Sequence, residues 1–439
     1  MASTTAPAPP RPVRRSPAGA TATPRRRREG FGLVPSGQAA WTRSPENPLV
    51  TSASPRLLEA VLGMGLIVES VAVPGLGVPV PEVCVGLLLL LASFRPPRRD
   101  LSRFAPLALV GLALVAYLVL VTVRHDLDPT RRAVRILLLM LLVYAVASER
   151  IDLKGVLYGM AAGGLINVPL FYAGVAPDTY GGYLTGYLAD KNVSGLFYAL
   201  TPLLLVATLQ RIRTKLLVLG LGFVLVFLTG SRTSLAALGC ATVWIFLSPY
   251  LGRVLRLVLL SGMAWFVAWA EAYLADAEVF GDRSGTDWFR ERIHEASAVK
   301  VAESGFFGQG LSTAWVQLEN VTMFFHNSYW GLLVEGGWPF LVIVVGAYSL
   351  FSLRPFALTR RSPSRVAIEA ATVVILVAST QLGEVFITIY GALVLGAGLL
   401  LTAQEDEERS ELTAAERARK RRTDRVLHAA RQQGNRRRA

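Results

Sequence analysis

Charge is scarce in this sequence: 17% of its 439 residues are Asp, Glu, Lys or Arg, where soluble domains carry about a quarter. A soluble globular class is excluded by what replaces the charge, since 52% of the chain is hydrophobic and runs of membrane-span length recur along it. Cysteine is nearly absent. Cys84 and Cys240 both fall inside apolar runs, where they read as small core residues, and their spacing makes neither a disulfide nor a metal site. No acidic or histidine cluster of metal-ligand type occurs, so neither a metal nor a cofactor is expected. Gly308-Gln309-Gly310 has no strand before it and no third glycine, so it is not a dinucleotide fingerprint. There is no internal repeat, and no signal peptide is expected, because the first apolar run starts only near Leu57 and no cleavage pattern follows.

What charge there is has a pattern. The net charge of +14 does not point to nucleic acid, because Lys and Arg collect in the two tails and in short loops, as membrane topology requires. Residues 1–56, with Arg25 to Arg28, read as a disordered basic tail, and 404–439 as a charged tail forming a frayed helix. Between them, 57–403 reads as an all-α polytopic membrane domain of about twelve spans. The expected spans are 57–73, 78–94, 104–123, 133–147, 154–175, 193–209, 215–230, 233–249, 255–274, 326–350, 366–382 and 386–403. Alternating from a cytoplasmic N-terminus, the inside segments hold 35 of the 45 Lys and Arg residues, which obeys the positive-inside rule and puts both termini in the cytoplasm.

Three outer segments are more than turns. They are the Tyr- and Gly-rich stretch 176–192, the junction 229–234, and the long loop 275–325 between spans 9 and 10. Within that loop, Thr286 is expected to cap a helix from about Asp287 to Glu303. Phe289, Ile293, Ala296 and Val299 would form its apolar stripe, with Arg290, His294 and Ser297 on an adjacent face. Such a helix would lie on the bilayer surface or fold over the bundle mouth. Arg232 interrupts the apolar stretch from Leu216 to Leu247. It either snorkels to lipid phosphate or grips an anion from a cavity, and its small neighbours Gly230, Ser231, Thr233 and Ser234 favour the second. His326, one of four histidines, precedes Asn327 at the mouth of a span, where its near-neutral pKa suits it to take a proton from a hydroxyl. Glu335 follows inside that span, as a catalytic support or as a polar contact between helices. Glu384 reads as an interfacial residue.

These residues resemble the O-antigen ligase and polymerase family of integral-membrane glycosyltransferases. HNSYWGLLVEGG is similar to the family's His-Asn…Glu-x-Gly signature, LTGSRTSLAAL to its Ser-Arg helix start, and ADKNVSGLFYALTPLLL to its Asn-led small-residue helix. Arg290 lies 18 residues before Gly308 in RERIHEASAVKVAESGFFGQG, similar to the family's Arg-led helix ending in a Gly-x-Gly turn. The match covers roughly residues 185–340, with departures. Gly305 stands where the family has Pro, His294 where an aromatic is expected, and Arg283 and Arg292 compete with Arg290 for the loop-arginine role.

The resemblance implies a bundle like that of other polytopic glycosyltransferases (GT-C-like) and an inverting, metal-independent transfer of a glycan from a polyprenyl diphosphate carrier to a glycan acceptor at the outer face of the cell membrane. By that resemblance Arg232 and Arg290 would bind the diphosphate, and His326 would deprotonate the acceptor hydroxyl. Asn327 and Glu335 would support the helix start, while Tyr187, Asp190 and Asn192 would line the acceptor side. A polymerase and a ligase fit equally, with the Arg- and Ala-rich composition tilting towards capsular or wall polysaccharide. The alternatives are a transporter or flippase of a lipid-linked or anionic substrate, which would want mid-membrane sites and repeated halves, and a scaffold that recruits partners through its basic tails.

Overall fold

The computed structural model describes residue 49 and residues 55–75, 77–274, 284–319, 321–357 and 361–411, with side chains left undescribed at 268 and 270–290. Nearly all of the expected N-terminal tail, the tail beyond 411, and Arg283 lie outside the described residues. The chain is mostly helical, at 71%. The helices are α1 Leu57–Gly65, α2 Val80–Ser93, α3 Ala105–Arg124, α4 Thr130–Ala147, α5 Leu153–Tyr172, α6 Lys191–Thr208 and α7 Ile212–Leu228. They continue with α8 Arg232–Leu247, α9 Arg253–Leu274, α10 Ser284–Glu303, α11 Ser328–Ala347, α12 Pro363–Ala378 and a last helix, α13, over 389–411. Between α10 and α11 a two-stranded antiparallel hairpin pairs β1, Trp315–Leu318, with β2, Val321–Phe324. Among the described residues, four helical segments are long and apolar enough to cross a membrane: Ser102–Arg124, Leu153–Tyr172, Arg232–Tyr250 and Ser328–Leu353. Large apolar side chains such as Leu109, Leu120, Leu217, Val342 and Leu350 stand exposed along the helices, as an all-α membrane protein requires.

Capping residues fix where several helices start. Asp190 accepts from the backbone N–H groups of Asn192 and Val193 at α6, Ser231 from that of Ser234 at α8, Asn327 from those of Tyr329 and Trp330 at α11, and Ser362 from that of Arg365 at α12. The bundle's hub is α12, whose residues 363–375 are all buried and which packs against α6 and α8. On the other side α1 crosses α5 so closely that an added Cβ at Gly159 would stand 1.8 Å from the Ala60 carbonyl oxygen. Small residues at such a crossing let two backbones meet without a side chain between them.

Three expectations are corrected. The first span, expected over 57–73, is helical only to Gly65. Pro74, Gly75, Gly77 and Pro79 favour turns over helix, and residues 71–73 pair with residues 78–80, Val73 N–H donating to Val78 O at 2.8 Å. The loop helix begins at Ser284, not at Asp287, so Thr286 lies within α10 rather than capping it. Its buried stripe holds Ile293 and Ser297, whereas Val299 is exposed. Finally, α13 runs through residue 403 without a break. Its end is tied down because Arg354 and Arg365 pair with Glu405 at 2.6 and 2.8 Å and Arg99 pairs with Glu407.

Candidate functional site

The organising feature of the site is a break in α11. Gly336 and Gly337 leave helical geometry, Gly337 at φ +64°, and Pro339 follows. A helix broken in this way frees backbone groups that need new partners. The loop 306–310 supplies them. Gln309 N–H donates to Val334 O at 2.7 Å, Gly310 N–H to Glu335 O at 3.0 Å, and Trp338 N–H to Phe306 O at 3.0 Å. Two glycines make the approach possible, since a Cβ on Gly337 would stand 1.9 Å from Phe306 O and one on Gly308 2.6 Å from the Gly337 nitrogen. The Gly308-Gln309-Gly310 turn therefore serves as a backbone plug for α11. α3 holds the plug from behind, with Thr122 Oγ1 accepting from Leu311 N–H at 2.9 Å and the Tyr117 hydroxyl within 2.8 Å of Phe307 O and 3.0 Å of Gly336 O.

Glu335 sits at the break and is buried. Its Oε1 accepts from Ser312 N–H at 3.0 Å and its Oε2 from Arg132 Nη2 at 3.2 Å. Arg132 also donates through Nη1 to Glu384, whose other oxygen lies 3.6 Å from Arg135 Nη1. Both arginines come from the start of α4, which is tied down by Asp128 accepting from the N–H of Thr130 at 2.9 Å and from its hydroxyl at 2.6 Å. Those two bonds hold the Asp128 carboxyl below the usual carboxylate range. Arg132, Ser328, Gly331, Glu335, Gly383 and Glu384 line a pocket of about 20 Å³ together with Ala314, Leu332 and residues 385–387. That is room for a water molecule among polar partners.

The charged patch extends to the 176–190 segment. Glu69 accepts from the Tyr390 hydroxyl at 2.8 Å and lies within electrostatic reach of Arg135, Asp190 and Glu384. Ser70 N–H donates to Tyr187 O at 2.9 Å, and Tyr187 N–H donates to Asn167 Oδ1 at 3.0 Å. The same segment covers the α7–α8 junction, where Leu184 N–H donates to Leu228 O at 2.9 Å and a Cβ on Gly230 would strike the Tyr183 ring. Arg232 is the first residue of α8 and half-buried. Its neighbours Ser231 and Ser234 pack on Gly195 of α6, just past Asn192.

Thus Glu335 and Asp190 belong to one charged patch, with Tyr187, Asn192 and Arg232 on elements packed beside it. His326 is exposed immediately before α11, and Asn327 is turned onto the helix as its cap. Arg292 pairs with Glu319 of the hairpin at 3.2 Å. The side chain of Arg290 lies outside the described residues. The helix α10 folds onto the start of α11: Ile293, Val316, Phe325 and Val334 form one buried cluster, and the His294 ring stacks on Trp330 with centroids 4.4 Å apart. Lys300 donates to Trp315 O at 2.7 Å and sits over the Trp315 ring, and burial there pushes its ammonium pKa down.

No protein-family model matches the chain, and a search of curated proteins finds no match. What the site can do therefore rests on its own chemistry. It combines a cluster of paired arginines and carboxylates, a backbone-plugged broken helix and an exposed imidazole at the helix mouth. An exposed imidazole at such a mouth can take a proton from a hydroxyl, and the half-buried Arg232 beside the patch can face an anion.

Sequence reasoning missed Arg132 and Arg135, and it read Glu384 as interfacial although Glu384 bridges both arginines. A signal was present. Arg124, Arg131, Arg132 and Arg135 cluster on the side that the positive-inside rule leaves poor in Lys and Arg, so topology does not explain them.

Proposed function

We propose that the chain is a multi-pass cell-membrane glycosyltransferase of the O-antigen ligase or polymerase type, with both termini cytoplasmic and about twelve spans. In this reading it transfers or polymerises a polyprenyl-diphosphate-linked glycan at the outer face. The observation that carries the reading is the junction at α11. One element presents an exposed His326 at its mouth and Glu335 at its break, and Arg132 joins that break to the rim formed by Glu384 and Arg135. The acceptor hydroxyl gives its proton to His326 as its oxygen bonds the anomeric carbon. The bond from that carbon to the diphosphate oxygen breaks with inversion, and its electron pair leaves on the lipid diphosphate. Arg232 and Arg290 neutralise the charge that develops there. Asn327 fixes the helix start under His326, and Tyr187, Asp190 and Asn192 border the acceptor.

The test is glycan profiling of a deletion strain complemented with wild type, His326→Ala or Arg232→Ala. Loss of the base is expected to cut transfer by about 10²- to 10⁴-fold without changing expression. Accumulated single carrier-linked repeats identify a polymerase, and long polymer left on its carrier identifies a ligase. Full complementation by both variants overturns the enzymatic reading in favour of a scaffold. A second reading, a transporter of a lipid-linked or anionic substrate, is favoured by the break in α11, because broken helices mark transporter substrate sites. Under it His326→Ala would still pass the substrate across the membrane.

A further inference from the structure

At the end of the bundle opposite the α11 mouth, a second set of arginines is packed where carboxylates do not balance it. Arg256, from the first turn of α9, is buried, and its Nε donates to Ser248 O at 3.1 Å. Arg361, Glu369 and Arg253 lie within its electrostatic reach. Arg361, at the approach to α12, is also buried and lies 3.0 Å from Glu369, which in turn accepts from Trp244 Nε1 at 3.1 Å. The next carboxylate, Glu405, is already engaged by Arg354 and Arg365. Arg365 is otherwise satisfied by Phe351 O, Gly398 O and Thr402 Oγ1.

Arg253, Arg256 and Arg361 thus stand with one carboxylate, Glu369, which Arg361 pairs, among the described residues, a surplus of two positive charges. Donors are left over as well. Arg361 Nη1, Arg253 Nε and the Ser248 hydroxyl are buried without a hydrogen-bond partner among the described residues. Buried donors and buried like charges are both costly, and an anion relieves both at once. The N-terminus of α9 adds to the positive potential, since its first turn holds Arg253 and Arg256 and no acidic residue.

We propose that this nest between the α8–α9 connection and the start of α12 binds a phosphate group, Arg253, Arg256 and Arg361 gripping its oxygens and Ser248 donating a further hydrogen bond. In the proposed topology the nest faces the cytoplasmic leaflet, where basic pockets between helices take anionic lipid headgroups. The phosphate of a glycerophospholipid and a free phosphate ion share the chemistry, and the experiment separates them. The proposal does not depend on the glycan-transfer reading.

The test is thermal melting of the purified full chain in neutral phosphatidylcholine nanodiscs, with added phosphatidylglycerol in one arm and inorganic phosphate at matched ionic strength in the other. Wild type is expected to melt several degrees higher with phosphatidylglycerol, and Arg256→Gln and Arg253→Gln to lose most of that shift. An equal shift from inorganic phosphate would assign the site to the free ion. Should Arg256→Gln fail to fold, the half-buried Arg253 decides through its own variant. No shift in either arm, or an undiminished shift in Arg253→Gln, overturns the proposal.

Discussion

Glu335 is held from two sides, by Ser312 N–H at 3.0 Å and by the Arg132 guanidinium at 3.2 Å, and it has almost no exposure to water. Removing one member of such a pair strands the other, which costs about 3–5 kcal/mol, whereas neutralising both costs far less. Arg132→Ala is therefore expected to lower the melting temperature of the detergent-purified protein sharply, and Arg132→Ala with Glu335→Gln to recover most of the loss. An additive double mutant would mean that the two side chains do not act as a pair. Asn327 makes a smaller and local contribution. Its side chain caps α11 directly below His326, so Asn327→Ala is expected to cost roughly 1 kcal/mol of stability and to lower transfer by loosening the base. Asn327→Asp, which can still cap, is expected to keep the melting temperature, which can be read in the same melting series.

The decisive element is α11 with its plug. Gly337 combines a left-handed φ of +64° with a backbone oxygen 1.9 Å from the place a Cβ would occupy, so Gly337→Ala must either strain the backbone or expel loop 306–310. Each route costs on the order of 1–3 kcal/mol. Gly346→Ala, further along the same helix with open space around it, is the control and is expected to melt like wild type. If Gly337→Ala also melted like wild type, the loop would not plug the break. Little of this joint was legible in the sequence. The alternation of apolar runs and turn residues marked the helices, and Asn327 with Glu-Gly-Gly marked α11 as unusual. The pairing of Gly308-Gln309-Gly310 with a broken helix is a contact between residues about 25 positions apart, and local periodicity carries no trace of it. The site was half legible for a related reason. Asp190, Arg232, His326 and Glu335 announce themselves as polar residues at apolar boundaries, while Arg132 and Arg135 sit at a helix start where arginines look ordinary until their side of the membrane is considered.

For the molecule as a whole, the two ends of the bundle treat charge differently. The α11 end pairs its two α4 arginines with Glu335 and Glu384. The opposite end ties α1, the ends of α2 and α4, α12 and α13 together through Glu59 with Arg95, Arg99 with Glu149 and Glu407, and Arg365 with Glu405, and it keeps a surplus of arginine beyond these pairs. Under the positive-inside rule that asymmetry supports the proposed orientation, with the arginine-rich end in the cytoplasm. Both native cysteines are buried, so single introduced cysteines can report topology without a strong background. A membrane-impermeant maleimide is expected to label exposed Glu319→Cys in the hairpin beside α10 in intact cells, and to reach exposed Asp100→Cys between α2 and α3 only after the membrane is opened. The reverse pattern would place His326 and Glu335 in the cytoplasm, where a carrier-linked glycan awaiting transfer at the outer face is out of reach. The glycosyltransferase reading would then fall even if every helix were where the fold puts it.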